Sequence, residues 1–501
     1  MPKKINLVGL FLILLFGLSL RIYSVWPANT IVGFDQARDF FNSLKISNGD
    51  FPIIGPTAGN NVYLHHGVAF LYYLFFPLYL GQGNPMWAVV FNCFINSLTS
   101  LTLFFLGKHL FNRRVGIISG IMSAVSYQMI QYSGWLSNPT VTLFTVPLFF
   151  LTLWLYIKNP QKQFALPLLL FLLGLSIQFE LFFLYLIPVF LLIWITFKPQ
   201  TPSIKTLFYS LFALMLSLSS MIATEIKFRF QGILNILVAG KTVGGGNINF
   251  KAFLDRFLAS FAYNLTPQYQ NLGKALGIIV IFTLFMAYLN KKTQGKKPIV
   301  FLLVYLFSPS LMLLLGYHYS PWFLIGFPPA AILASGFILS KIESNLAVIS
   351  IIALISFLNL KMLYTTHDQG QILLEPDKSA ILATQLKAID YTYQSSQGLP
   401  FAINTVTNPL YINAVWSYHY QWYGKNKFGY LPSWLGGDQI PPYDTLPKVN
   451  SQEQVFFLLI DQTPRIPPIF KNEAINSAKE KGKLVEEQNL EGITIQKYLA
   501  D

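Results

Sequence analysis

Over its first 363 residues this chain alternates long apolar runs with short polar breaks, and few folds can absorb that pattern. A run such as residues 5–26 is long enough to cross a bilayer, since about 20 residues at 1.5 Å each span the hydrocarbon core. In lipid every backbone polar group must be satisfied within the protein, so such runs are read as helices. With 53% hydrophobic and only 11% charged residues, the composition excludes an ordinary soluble globular chain. A polytopic α-helical membrane protein is expected. The first run is too long and too uniformly apolar for a signal sequence, so it reads as a retained helix.

Eleven spanning segments are expected, at 5–26, 85–107, 115–132, 140–157, 164–178, 181–197, 206–224, 273–290, 298–316, 320–340 and 345–363. With Lys3 and Lys4 inside, an odd count places the C-terminus outside the cytoplasm. The lysines agree: Lys108, Arg113, Arg114, Lys158, Lys198, Lys291, Lys292, Lys296, Lys297 and Lys341 all fall on the cytoplasmic side of this scheme. Basic residues are sparser in the outer loops, 27–84 and 225–272. The net charge of +14 is thereby explained by topology, and nucleic acid is not a partner. Cys93 is the only cysteine, which excludes disulfides within the chain and a thiolate metal cage.

Two stretches resist simple assignment. Residues 66–80 are apolar but short, and are expected to lie as a helix in the outer interface. Residues 164–197 are too long for one span and are expected to form a tight helical hairpin with its tip near Glu180. After residue 363 the composition turns polar, with alternating stretches at 401–406 and 455–460 and a helical pattern at 377–394. Residues 364–501 thus read as a small extracytoplasmic α/β domain, attached to a membrane domain of residues 1–363.

Charged residues are scarce, so their clusters are informative. In a helix beginning near Asp35, positions 35, 38 and 39 share one face, while Phe34, Phe41 and Leu44 could rest on the bilayer. Free amide groups at a helix start favour a carboxylate there. Asp35 is therefore either a general base or only a helix cap, and Arg38–Asp39 is either part of a site or a solvated pair. His65 and His66 stand before the interfacial segment, where paired histidines bind phosphate or metal, or merely mark the boundary. Gln178 and Glu180 fall at the hairpin tip, where ionisable groups near lipid are functional candidates. Glu225, Lys227 and Arg229 open the second outer loop, and His318 and Tyr319 lie at a later outer turn. These basic groups could hold a lipid-linked phosphate or serve as headgroup anchors.

Taken together, these clusters resemble the C-type (GT-C) membrane glycosyltransferases, and in particular glycosyltransferase family 39. That family includes protein O-mannosyltransferases and the aminoarabinose transferases that modify lipid A. The resemblance lies in a first span followed by an acidic outer loop, here Asp35-Gln36, and then His65-His66-Gly67 before Leu71-Tyr72-Tyr73. Further stretches fit its bacterial members: WLSNPT (135–140, with Asn138), SIQFELFF (176–183), TEIKFRF (224–230) and HYSPWFLIGFPPAAILA (318–334). Gln36 stands where the family usually has a second acidic residue, and Asp39 could compensate from the next turn.

The resemblance implies an inverting transfer of a monosaccharide from a polyprenyl-phosphate-linked donor to a hydroxyl on a protein, lipid or glycan acceptor, at the outer leaflet. Asp35 would take the acceptor proton, with Asp39 as its companion. The leaving phosphate would be neutralised by the histidines, Lys227 and Arg229. The resemblance fixes no cofactor, and a divalent metal stays open. The competing reading is a secondary transporter or flippase using Glu180 and Glu225, which would place charges at the midplane in broken helices.

Overall fold

The computed structural model describes residues 7–58, 63–162, 164–239, 250–290, 295–315, 321–449 and 453–500. Among the described residues five helices are long and apolar enough to cross a membrane: Leu7–Val25, Pro85–Leu110, Asn138–Lys158, Gln270–Leu289 and Asn345–Thr365. A sixth, Ile204–Ser217 with Ser219–Lys227, is bent by 63° at Leu218. Several other expected spans are shorter apolar helices, including Lys297–Met312 and Pro328–Leu339. Local chemistry explains two of these boundaries. Asn84 caps its helix by accepting from Met86 N–H at 2.9 Å, with Pro85 at the first helical position. Ser126 ends one helix and caps the next, its hydroxyl accepting from Met129 N–H at 3.1 Å.

The expected tight hairpin at 164–197 is not what forms. Ala165–Phe179 packs between Thr142–Lys158 and Ile204–Ser217, whereas Leu186–Phe197 packs against Lys297–Phe307. The chain does turn at Glu180, but a 3₁₀ segment, Leu181–Tyr185, redirects it away from its own first arm. Gly174 permits the close approach to Ile204–Ser217, since a Cβ there would stand 2.0 Å from Ser217 Oγ.

The first span is less uniform than its hydropathy suggests. Arg21 is fully buried within it, and its guanidinium donates to Gly17 O at 2.9 Å and to Ser133 Oγ at 3.0 Å. A buried cation of this kind is tolerated only when its donors are satisfied. It ties the first span to Tyr127–Ser133.

The C-terminal region carries a five-stranded sheet in the order β2-β1-β3-β5-β4. Its strands are β1 (Phe401–Val406), β2 (Ser433–Trp434), β3 (Val455–Asp461), β4 (Gly482–Leu490) and β5 (Ile493–Ala500). β2, β1 and β3 run parallel, while β5 and β4 are antiparallel additions. Val455, Phe457 and Leu459 of β3 pack on one face with Ile389 of the Leu382–Ser395 helix. Phe456, Leu458 and Ile460 pack on the other with Ala478 of the Pro468–Lys479 helix. A central strand buried on both faces reads as a continuous apolar run, which is why 455–460 looks as it does. The stretches expected as strands are β1 and β3.

Sheet region and helical region share a core of Val25, Phe40, Leu74, Leu382, Tyr418 and Tyr443. Backbone bonds reinforce it, from Val32 N–H to Ala380 O at 2.7 Å and from Leu382 N–H to Thr30 O at 2.9 Å. Here one expectation is corrected. Phe34 and Phe41 pack on the C-terminal region: both rings meet Tyr443, at 6.1 and 5.5 Å, Phe41 also meets Tyr418 at 5.2 Å, and Leu44 packs against the same cluster.

Candidate functional site

The Phe34–Leu44 helix begins after Gly33, whose backbone is extended. Gln36 is a structural residue here: its Oε1 accepts from Gly33 N–H at 2.9 Å and its Nε2 donates to Leu136 O at 2.9 Å. It caps the helix and fixes it to the loop at 134–137. That leaves Asp35, Arg38 and Asp39 on the adjoining face.

Arg38 holds both carboxylates. Its Nη1 donates to Asp35 Oδ1 at 2.7 Å and its Nε to Asp39 Oδ1 at 2.9 Å. The two acids differ sharply in exposure, 67% for the Asp35 side chain against 4% for Asp39. Burial pushes the Asp39 carboxyl up to about 6, against the pull of Arg38 and with a further push from Asp35. Burial works against the Arg38 charge, but Asp39 and Asp35 together hold its pKa above the ordinary value. Asp39 is therefore an anchor beneath the guanidinium, and Asp35 is the carboxylate on offer to a ligand.

Across the cleft His66 Nδ1 lies 3.1 Å from Glu180 Oε1, an ion-pair distance away from ideal hydrogen-bond alignment. Burial alone would lower the His66 pKa, yet Glu180 beside it and Asp39 farther off raise it. The helix break after Phe179 sets Glu180 in place, and Gly67 N–H locks the histidine loop to it by donating to Gln178 O at 3.0 Å. Gly67 has no alternative, because a Cβ would stand 1.6 Å from Gln178 Oε1. Gln178 itself is turned aside, donating to Ser220 Oγ at 2.8 Å.

Asp35, Arg38, Asp39, His66, Asn138 and Glu180 line one cleft of about 470 Å³. A second cavity of about 380 Å³ continues from it along the C-terminal region, past Asp377, Asn408, Asp461, Thr463 and Arg465. Phe34, Asp35, Trp135 and Trp322 border both, and the two tryptophan rings lie 6.0 Å apart. Asp461, at the end of β3, is raised to about 7 by burial and then by the Asp377 charge, with Lys471 opposing. Its buried Oδ1 has no hydrogen-bond partner among the described residues. Arg465 Nε stands 3.7 Å from Asp377 Oδ2.

The remaining candidates lie elsewhere. His65 turns away from the cleft, its Nδ1 2.8 Å from Gly55 O and its ring stacked on Phe228 at 5.3 Å. Lys227 and Arg229 flank that phenylalanine and are exposed, outside the lining of either cavity. Glu225 Oε2 accepts from Ile233 N–H at 3.1 Å. His318 and Tyr319 lie outside the described residues. Among the described residues no group of three or more His, Cys, Asp or Glu is placed to hold a metal ion.

Sequence reasoning missed Trp135, Trp322, Asp377, Asp461, Arg465 and Arg21. The tryptophans stood inside strings already singled out, WLSNPT and HYSPWF. The C-terminal acids carried no signal, since nothing in their spacing relates them to Asp35.

Residues 65–224 match the family model of the dolichyl-phosphate-mannose-protein mannosyltransferases. Over nearly its whole length the chain has the fold of ArnT from Cupriavidus metallidurans. The apo structure aligns with a TM-score of 0.61 at 10% identity, covering 99% of this chain and 98% of that one. The structure bound to undecaprenyl phosphate aligns with a TM-score of 0.59 at 9% identity, covering 97% of each. No curated protein matches significantly by sequence. The resemblance to the C-type membrane glycosyltransferases, read first from short motifs, agrees with the family model over residues 65–224, and the fold is that of ArnT.

Proposed function

We propose that this chain is a membrane glycosyltransferase that moves a monosaccharide from a polyprenyl-phosphate donor to an acceptor hydroxyl, with inversion. One observation carries the reading: Asp35 is the exposed carboxylate at the border of two cavities, held by Arg38 at 2.7 Å. The binding of undecaprenyl phosphate by ArnT, which shares the fold, supports a lipid-linked donor. Asp35 takes the acceptor proton as the hydroxyl oxygen attacks the anomeric carbon. The bond from that carbon to the phosphate oxygen breaks, and the polyprenyl phosphate leaves with the electron pair. Arg38 and His66, whose pKa is raised by Glu180 beside it, are the basic groups of the cleft, and they offset charge developing on the leaving phosphate. Asp377, Asp461 and Arg465 receive the acceptor on the other side of the border. The active face is extracytoplasmic, as the lysine distribution implies.

The test is Asp35→Asn. Asparagine keeps the shape of the side chain, so folding and donor binding should be retained. Turnover should fall by roughly 10²–10⁴-fold, the usual effect of removing a general base. Activity within a few-fold of wild type, with an unchanged melting temperature, would remove Asp35 from the mechanism and with it this reading.

A further inference from the structure

The Phe34–Leu44 helix also has a second occupied face. Roughly opposite Asp35 and Asp39, Phe41 and Leu44 border a groove of about 920 Å³ that runs between this helix, the end of the Ala69–Leu80 helix and the 414–428 segment. Its polar residues include Lys45, Lys425, Gln82, Gln421 and Asn426, and none of its lining residues is a carboxylate. Neither lysine makes an ion pair within 4.0 Å among the described residues, whereas nearby Lys427 is bound to Asp390 at 2.7 Å. Asp50 lines a separate notch beside Lys45 and forms no ion pair with it. The groove is pinned at its floor, where Tyr418 Oη donates to Gly83 O at 2.6 Å. A π-helical turn, Tyr420–Gly424, leads directly into Lys425, and such turns often mark binding sites.

Surroundings give the depth. Phe76, Tyr79 and Leu80 at the end of the neighbouring helix are exposed, as is Trp87 at the start of the Pro85–Leu110 span. Exposed aromatic residues where a span begins are typical of the headgroup layer. Two uncompensated lysines beside such a belt attract negative charge.

We propose that this groove binds the headgroup of an anionic phospholipid. Its phosphate lies between Lys45 and Lys425, the amides of Gln82, Gln421 and Asn426 bond its oxygens, and its acyl chains run along Phe76, Tyr79 and Leu80. Two lysines and no carboxylate in the lining give the groove a net positive charge, which favours a headgroup of net negative charge over a zwitterionic one. The bound lipid joins the sheet region to the membrane from the side away from the cleft, whatever reaction the cleft performs.

The experiment places the full chain in nanodiscs of phosphatidylcholine with or without phosphatidylglycerol. It compares wild type, the Lys45→Gln/Lys425→Gln double variant and the Lys45→Arg/Lys425→Arg control. Retained lipid is read by native mass spectrometry, and the melting temperature is followed in parallel. Wild type and the arginine control should retain phosphatidylglycerol and melt higher in its presence. The glutamine variant should bind it about 30-fold more weakly, the factor for losing two lysines near an anionic surface. Equal retention by the glutamine variant would overturn the proposal, and so would retention of phosphatidylcholine as strong as that of phosphatidylglycerol. Inorganic phosphate added to phosphatidylcholine discs should not raise the melting temperature; if it reproduced the full shift, the site would be a phosphate site and not a lipid one.

Discussion

The two walls of the cleft hold charge in different ways. On the helical side every ionisable group has a partner: Asp35 and Asp39 share Arg38, and His66 faces Glu180. On the C-terminal side Asp377 stands 3.7 Å from Arg465, but Asp461 lies near that acid without an ion pair, and its buried Oδ1, like His66 Nδ1 opposite, has no hydrogen-bond partner among the described residues. The compensated wall is pre-organised, so its geometry is fixed before a substrate arrives. The C-terminal wall leaves one buried carboxylate oxygen, Asp461 Oδ1, with an unmet hydrogen bond.

If the helical wall is a coupled set, breaking it should show coupling. Glu180→Gln leaves His66 without its counter-charge, and His66→Gln does the reverse. A double-mutant cycle in chemical unfolding should give an interaction of roughly 0.5–3 kcal/mol, as for residues in one polar network. Additive effects would mean that the 3.1 Å approach contributes nothing.

The C-terminal wall should respond to pH over a wider window. Asp461 is raised from 3.8 to about 7 in the folded protein, so the folded state binds its proton more tightly than the unfolded one does. Its stabilising contribution is full below pH 3.8 and is lost as pH rises through about 7. Asp461→Asn should flatten the fall in melting temperature across that window. A wild-type slope in the variant would show that the carboxyl is not protonated in the folded state.

Asp39 should give the same effect in smaller measure. Its rise stops at about 6, so the contribution is lost between pH 3.8 and about 6. Asp39→Asn should therefore reduce the slope below pH 6, where Asp461 still contributes, and leave that between 6 and 7 unchanged. If Asp39→Asn also flattened the window between pH 6 and 7, the contrast between the walls would fail.

Much of this molecule was legible in order. The apolar runs at 5–26, 85–107, 140–157, 273–290 and 345–363, the helix starting near Asp35, the turn at Glu180 and the strands β1 and β3 all follow from periodicity and composition, because each is decided by neighbours in sequence. Asp35, Arg38 and Asp39 could be grouped because helical geometry alone puts them on one face. What sequence could not decide were contacts that cross hundreds of residues. Phe34 and Phe41 meet Tyr443, Arg21 finds Ser133, and Asp461 arrives at the lining of a cavity shared with Asp35. Hydropathy reports only whether a side chain avoids water, and a protein surface and a bilayer satisfy that equally. Which of the two a phenylalanine meets, and which distant acid completes a cleft, is set by packing between the helical and sheet regions and by nothing local.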